Sequence, residues 1–148
     1  MVDPTLVGHA FAPFTWAIEP GRVSLFAKAI GERGALFTDA ETAKAAGYRD
    51  VLVPPTLLGI AAEPCPDDYI ALIGVDPGAI LHAEQALEYH APICAGDQLY
   101  GQKRITEILQ KKNGALTFVQ LEVEYRNPDG VLVCTSRQTI VVRRGETA

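Results

Sequence analysis

What the sequence lacks excludes several classes of protein. Its 148 residues include only three cysteines, Cys65, Cys94 and Cys134, and none forms a Cys-x-x-Cys pair. Neither a disulfide framework nor a zinc knuckle is therefore indicated, and reduced thiols in a cytoplasmic protein are expected. The longest apolar run, Val51 to Ala62, is broken by two prolines. It is too short to cross a bilayer, so no membrane association is predicted.

Basic charge is also scarce, because 13 lysines and arginines face 18 aspartates and glutamates, for a net charge of −5. The basic residues are scattered, which argues against a nucleic-acid binder. The first 12 residues contain neither lysine nor arginine, so no signal peptide is expected. The length predicts a single domain over residues 1–148.

Two kinds of catalytic motif are missing as well. No Gly-x-Ser-x-Gly elbow for a nucleophilic serine occurs, and the glycines fit no phosphate-binding fingerprint. Neither a cofactor nor a metal ion is predicted.

Helical signals are concentrated in the first half of the chain. The spacing of Val23, Phe26, Ala27 and Ile30 predicts an amphipathic helix over about residues 22–31. The run 38–41 is a capping box in which Thr38 would cap a short helix that stops at Gly47. After two prolines, residues 57–62 are apolar on all sides, which indicates a buried helix, and Pro64, Pro66, Asp67 and Asp68 indicate the loop that ends it.

Strand signals dominate the second half. A short strand is predicted over residues 11–18, and four long ones over 79–90, 99–109, 116–126 and 131–142. Turn sequences at 96–97, 113–114 and 127–130 join the last three strands to their predecessors, so these strands should be antiparallel. The prediction is an α+β domain in which the buried helix lies across one face of an antiparallel sheet.

The strand over residues 79–90 offers the strongest candidate for chemistry. Regular alternation places the side chains of His82, Glu84, Glu88 and His90 on one face, opposite an apolar face formed by Ala79, Leu81, Ala83, Leu87 and Tyr89. His82 and Glu84 would lie about 7 Å apart along the strand, where a carboxylate can orient an imidazole for acid/base work. The alternatives are an ordinary solvated strand face and a metal site, for which His90 lies too far along the strand.

Three stretches together resemble the MaoC-like hydratase/dehydratase family. They are residues 26–32 with 38–43 and 47–48, residues 53–59, and residues 81–97. The likeness covers about residues 8–142 and is strongest to the N-terminal-half type, the non-catalytic subunit of heterodimeric 3-hydroxyacyl dehydratases. It implies the hotdog fold, in which an antiparallel sheet wraps around a central helix.

The resemblance also implies an activity, the (R)-specific hydration of a 2-enoyl thioester or the reverse dehydration. Active members carry an Asp-x-Asn-Pro-x-His motif whose Asp and His hold the water, while a backbone N–H near the start of the central helix polarises the thioester carbonyl. By this likeness Pro55, Thr56 and Gly59 are candidate substrate-binding residues. An acyl-CoA or an acyl-carrier-protein thioester is the expected ligand.

The motif is degenerate in this chain. Residues 32–37 align with it, so Glu32 stands where the family has Asp and Phe37 where it has the catalytic His. The resemblance therefore implies the acyl-binding part of a homodimer, or of a heterodimer whose dyad lies on another MaoC-like chain. Two alternatives remain open. One is a self-sufficient hydratase or thioesterase that uses the His82, Glu84 and His90 face, and the other is an acyl-thioester binding module without turnover. Glu32, which retains a carboxylate, is a further catalytic candidate.

Overall fold

A five-stranded antiparallel sheet organises the chain. The computed structural model describes residues 2–60, 65 and 68–143. The strands β1 (Phe14–Ala17), β2 (Ile80–Tyr89), β3 (Gln98–Lys111), β4 (Leu116–Arg126) and β5 (Leu132–Arg143) pair in the order β1-β3-β4-β5-β2. The helices are α1 (Pro20–Ala29), α2 (Ala35–Thr38), α3 (Ala40–Ala45), α4 (Leu57–Ile60) and α5 (Tyr69–Ile73), with 3-10 turns at Pro4–Leu6 and Pro77–Ala79. The α+β prediction is confirmed.

The long strands follow from alternation and from tight turns. Along β4 the alternate side chains Thr117, Val119, Leu121, Val123 and Tyr125 are buried, so one face of the sheet forms the core. The chain reverses into β4 through Lys112, Asn113 and Gly114, all at positive φ. Asn and Gly adopt that conformation most readily, which explains the strong hairpin signal there.

The first helix keeps most of its predicted buried face. Val23 and Ala27 are fully buried and Phe26 packs partly against the same core, but Ile30 is 47% exposed. The prediction for Ile30 was wrong because α1 ends at Ala29, so Ile30 is the C-cap, beyond the last helical residue.

The capping residue of α3 is Asp39 rather than Thr38. The Asp39 carboxylate accepts a hydrogen bond from the Thr42 N–H at 2.7 Å, whereas the Thr38 hydroxyl donates to the Gly34 carbonyl at 3.1 Å. Thr38 still belongs to α2, so the first residue with extended backbone, which a cap requires, is Asp39. Gly47 stops this helix as predicted, at φ +92.

Helix α4 is buried against the sheet. Leu57 and Leu58 lie in the core, and Gly59 approaches β2 so closely that a Cβ there would lie 3.1 Å from Gln85 Cγ and 3.2 Å from Leu87 Cδ1. The predicted residues 61–62 of the helix, and Pro64, Pro66 and Asp67 of the loop, fall outside the described residues. Asp68 caps α5 through the Ile70 N–H. Within the described ranges, no helix is long and apolar enough to cross a membrane.

A β-bulge in β2 overturns the predicted common face of the strand. The register with β5 shifts between His82, opposite Ile140, and Glu84, opposite Thr139. Cross-strand partners share a face, so the adjacent residues Ile140 and Thr139 place His82 and Glu84 on opposite faces of the sheet. By register His82 lies on the same side as Leu87 and Tyr89, although its side chain is exposed, while Leu81 lies on the outer side and is 47% exposed.

Candidate functional site

A predominantly apolar cleft lies between the segment before α4 and the end of β2. Its volume is about 450 Å³, within the range of small-molecule sites. Nine of the described residues line it, namely Phe37, Leu52, Val53, Pro55, Tyr89, His90, Ala91, Pro92 and Ile93. Of these, only Tyr89 and His90 carry titratable side chains, so the cleft is suited to an apolar ligand.

Backbone pairing brings the two walls of the cleft together. The Val53 N–H donates to the Ile93 carbonyl at 2.9 Å, and the Ala95 N–H donates to the Val51 carbonyl at 2.9 Å. At the turn that follows, Asp97 accepts the Cys94 N–H at 2.9 Å and both carboxylate oxygens contact the Arg49 guanidinium at 2.7 and 2.5 Å. The Gly96-Asp97 turn therefore anchors the strand extension that forms one wall.

A side-chain hydrogen bond joins the walls a second time. Oη of Tyr89 donates to the Pro55 carbonyl at 2.6 Å, although the two residues are 34 positions apart. Burial raises the pKa of Tyr89 well above its ordinary value, with a smaller contribution from the nearby Cys134. The phenol thus remains a proton donor to Pro55 across the ordinary pH range.

The degenerate motif forms a compact unit next to this cleft. The Glu32 carboxylate accepts the Gly34 N–H at 2.6 Å, and a Cβ at Gly34 would lie 3.0 Å from Glu32 Oε1 and 3.1 Å from Phe37 Cδ2. The structure therefore places the side chains of Glu32 and Phe37 close to Gly34. Phe37 lines the cleft, while Glu32 is not among the described residues that line it.

His90 is the one predicted acid/base candidate that lines the cleft. Its Nε2 lies 3.3 Å from Oγ1 of Thr135, whose side chain is buried, so the imidazole is held at the end of β2. Which ring nitrogen carries the proton depends on the tautomer. Any proton exchange between His90 and a bound ligand would take place at the cleft wall next to the end of β2.

The other predicted strand residues are dispersed. His82 Nε2 lies 3.1 Å from the backbone carbonyl of Glu84, not from its carboxylate, and the Glu88 carboxylate accepts from Arg137 at 3.3 Å. In the part of the chain that the structure describes, no three His, Cys, Asp or Glu side chains come close enough to hold a metal ion.

The three candidate substrate-binding residues occupy different surroundings. Pro55 lines the cleft, Thr56 is the exposed residue next to it, and Gly59 packs against β2. The sequence did not indicate Tyr89 as a site residue, because regular alternation assigns it to the apolar face of its strand. A hydroxyl at an otherwise apolar position was the one local signal available.

Comparison with known proteins agrees with this architecture. The chain is 34% identical over 146 residues to a UPF0336 protein of Saccharopolyspora erythraea, covering 96% of this chain and 92% of that protein. The HadBC (3R-hydroxyacyl-ACP dehydratase) complex of Mycobacterium tuberculosis contains a chain of the same fold, with a TM-score of 0.81 and 23% identity over 92% of this chain and 96% of that one.

A third similarity is to a MaoC-like dehydratase, with a TM-score of 0.84 and 24% identity over 95% of this chain but 43% of that one. The two structures confirm the expected hotdog fold, and the family model that matches this chain confirms the predicted resemblance to dehydratases. Residues 5–136 match the family model of the FAS1-like dehydratase domain region. The chain therefore belongs to the FAS1-like dehydratase domain family.

Proposed function

We propose that this chain is the acyl-binding subunit of an (R)-specific 2-enoyl-thioester hydratase or 3-hydroxyacyl-thioester dehydratase, acting as one domain in the cytoplasm. The observation that carries the proposal is the cleft wall at Phe37. An aromatic hydrocarbon stands at the position where the family has a catalytic histidine, and it cannot transfer a proton. The cleft retains the apolar surface that an acyl chain requires.

Hydration needs groups that the described residues of this cleft do not supply together. Water must be made nucleophilic by a base, the α-carbon must receive a proton, and the enolate oxygen needs a fixed donor. Glu32 has a carboxylate, but that group accepts the Gly34 N–H and has Phe37 as its neighbour. The proposed arrangement is that a second MaoC-like chain contributes the Asp and His, while this chain holds the acyl group at Pro55 and, by family resemblance, at Thr56 and Gly59.

The test is hydration of crotonyl-CoA and of longer enoyl-CoA esters by the purified chain. We expect little or no turnover, because the loss of one member of an acid/base pair costs about 10²–10⁴-fold. The same assay is then run with a MaoC-like chain that carries an intact motif, and activity is expected only in the mixture. An ordinary rate from this chain alone would contradict the subunit role.

A second candidate, a self-sufficient hydratase or thioesterase, is favoured by the position of His90 on the cleft. If the isolated chain does hydrate or hydrolyse acyl thioesters, His90→Ala should abolish the activity. His82→Ala is the matched control, because the bulge turns His82 away from His90.

The third candidate, a binding module without turnover, would bind acyl thioesters and remain inactive in every mixture.

An unpaired edge supports the predicted assembly. Strand β2 pairs with β5 along one side, and its side chains from Leu81 to Ala86 are exposed. Soluble proteins usually cover such a ten-residue edge, and the HadBC relative is itself a complex. We propose that β2 pairs with a second chain, a copy of this one or a catalytic MaoC-like partner.

The assembly prediction is a dimer, or a dimer of dimers, that buries on the order of 1,000 Å² or more per pair. Light scattering at micromolar concentration should give at least twice the 15.9 kDa mass of the chain. Hydrogen exchange should be slow both for the β2 amides that face β5 and for those that face the open edge. Strand β1, at the opposite edge of the sheet, is the internal control, and its outward-facing amides should exchange faster. A monomeric mass with fast exchange in β2 would exclude a homodimer through this edge.

A further inference from the structure

We propose that Tyr89 determines which acyl chains the cleft accepts, by fixing the position of the Pro55 wall. This inference rests on the proposed function, because it takes the cleft as the acyl site. Tyr89 and Pro55 both line the cleft, and the Tyr89 hydroxyl donates to the Pro55 carbonyl at 2.6 Å. The bond ties the end of β2 to the segment that leads into α4.

Pro54 is buried in the core, but among the described residues the Pro55 segment has few other hydrogen bonds to the sheet. Proline has no N–H, so Pro54 and Pro55 cannot donate a backbone hydrogen bond. The neighbouring backbone bonds are that of Val53 to Ile93 before the prolines and that of Leu57 back to the Pro54 carbonyl after them, both at 2.9 Å. Between these two points, the Tyr89 hydroxyl holds the Pro55 carbonyl to β2.

The role of Tyr89 in this arrangement is positional. Its single O–H is already used on Pro55, and the raised pKa keeps that proton in place at the pH values of ordinary assays. The hydroxyl is therefore not a proton donor to the thioester. Tyr89 acts on the ligand through Pro55, which makes it a positioning residue rather than a catalytic one.

Removal of this hydroxyl has a specific consequence for the cleft. Tyr89→Phe keeps the ring that packs against the core but leaves the Pro55 carbonyl without this donor. The Pro55 wall can then move away from β2, so a short acyl chain loses contact with it while a long chain gains room. The change should appear as an altered dependence of binding on chain length.

The experiment measures the binding of butanoyl-, octanoyl- and dodecanoyl-CoA by titration calorimetry. These saturated thioesters cannot be hydrated, so binding is read without turnover. In Tyr89→Phe, we expect the affinity for butanoyl-CoA to fall about fivefold to tenfold, the scale of one lost hydrogen bond, with dodecanoyl-CoA bound equally well or more tightly. Tyr100→Phe, at an exposed tyrosine of β3, should leave all three affinities unchanged. An equal change for all three ligands, or none, would overturn the inference.

A second readout does not depend on the ligand. Amide exchange at Thr56, Leu57 and Leu58 should be faster in Tyr89→Phe than in the wild type, and unchanged in Tyr100→Phe. Unchanged exchange in Tyr89→Phe overturns the Tyr89 inference alone. If the wild type binds none of the three thioesters, the proposed function fails, and acyl selection by Tyr89 fails with it, even if the exchange is faster.

Discussion

The double variant Glu32→Asp/Phe37→His is expected to gain measurable enoyl-CoA hydration as an isolated chain, while Phe37→His alone remains inactive. Both side chains lie close to Gly34 and Phe37 lines the cleft, so histidine at 37 would lie at the cleft and near residue 32. An aspartate at 32 is shorter by one methylene and restores the side-chain length of the family motif. Without that change, the longer carboxylate would misplace the water between the two groups.

The shorter side chain is compatible with the local backbone. Glu32 accepts the N–H two residues further on, at Gly34. Aspartates make the same bond at Asp3, Asp68 and Asp76, to Thr5, Ile70 and Gly78. Glu32→Asp alone is therefore the matched control for folding. Initial rates with crotonyl-CoA are measured for all three variants. Equal rates for Phe37→His and the double variant would contradict the proposal that residues 32 and 37 act as an acid/base pair.

The second large effect concerns α4. Leu58→Asp should prevent folding, or lower the free energy of unfolding by several kcal/mol, because it would place a carboxylate without a partner in the core. Leu58 is 3% exposed and belongs to the main core cluster.

Leu25→Asp is the matched control, since Leu25 lies on α1 and is 70% exposed. Its effect on the free energy of unfolding should stay within about 0.5 kcal/mol. Chemical denaturation followed by circular dichroism measures both. A Leu58→Asp variant as stable as Leu25→Asp would mean that α4 is not part of the core.

Much of the sheet could be predicted because its signals are local. Strand β4 has the predicted bounds Leu116–Arg126, since alternation and the turn residues at both ends are visible in a short window. The bulge at His82 was not predictable in this way. One inserted residue leaves the sequence pattern nearly unchanged, yet it reverses the face of every side chain on one side of it.

The candidate site was predicted less well because it is assembled from distant segments. The likeness to the family led to Phe37 and Pro55, strand alternation led to His90, and these three lie on one cleft. The bond between Tyr89 and Pro55 links positions 34 residues apart, and no local period encodes such a pair. The cap at Asp39 was missed for a related reason, because two adjacent residues could each serve and the end of α2 decided between them.

The most direct test of the central claim is reconstitution with a MaoC-like chain that carries an intact Asp-x-Asn-Pro-x-His motif. Crotonyl-CoA hydration is measured for this chain, for the partner and for their purified complex. A partner whose motif histidine is replaced by alanine is the control. The account predicts ordinary turnover, about 1–10³ per second, in the complex, and at least about 10²-fold less for this chain alone and for the control complex. Ordinary turnover by this chain alone, or by the complex with the inactivated partner, would contradict it.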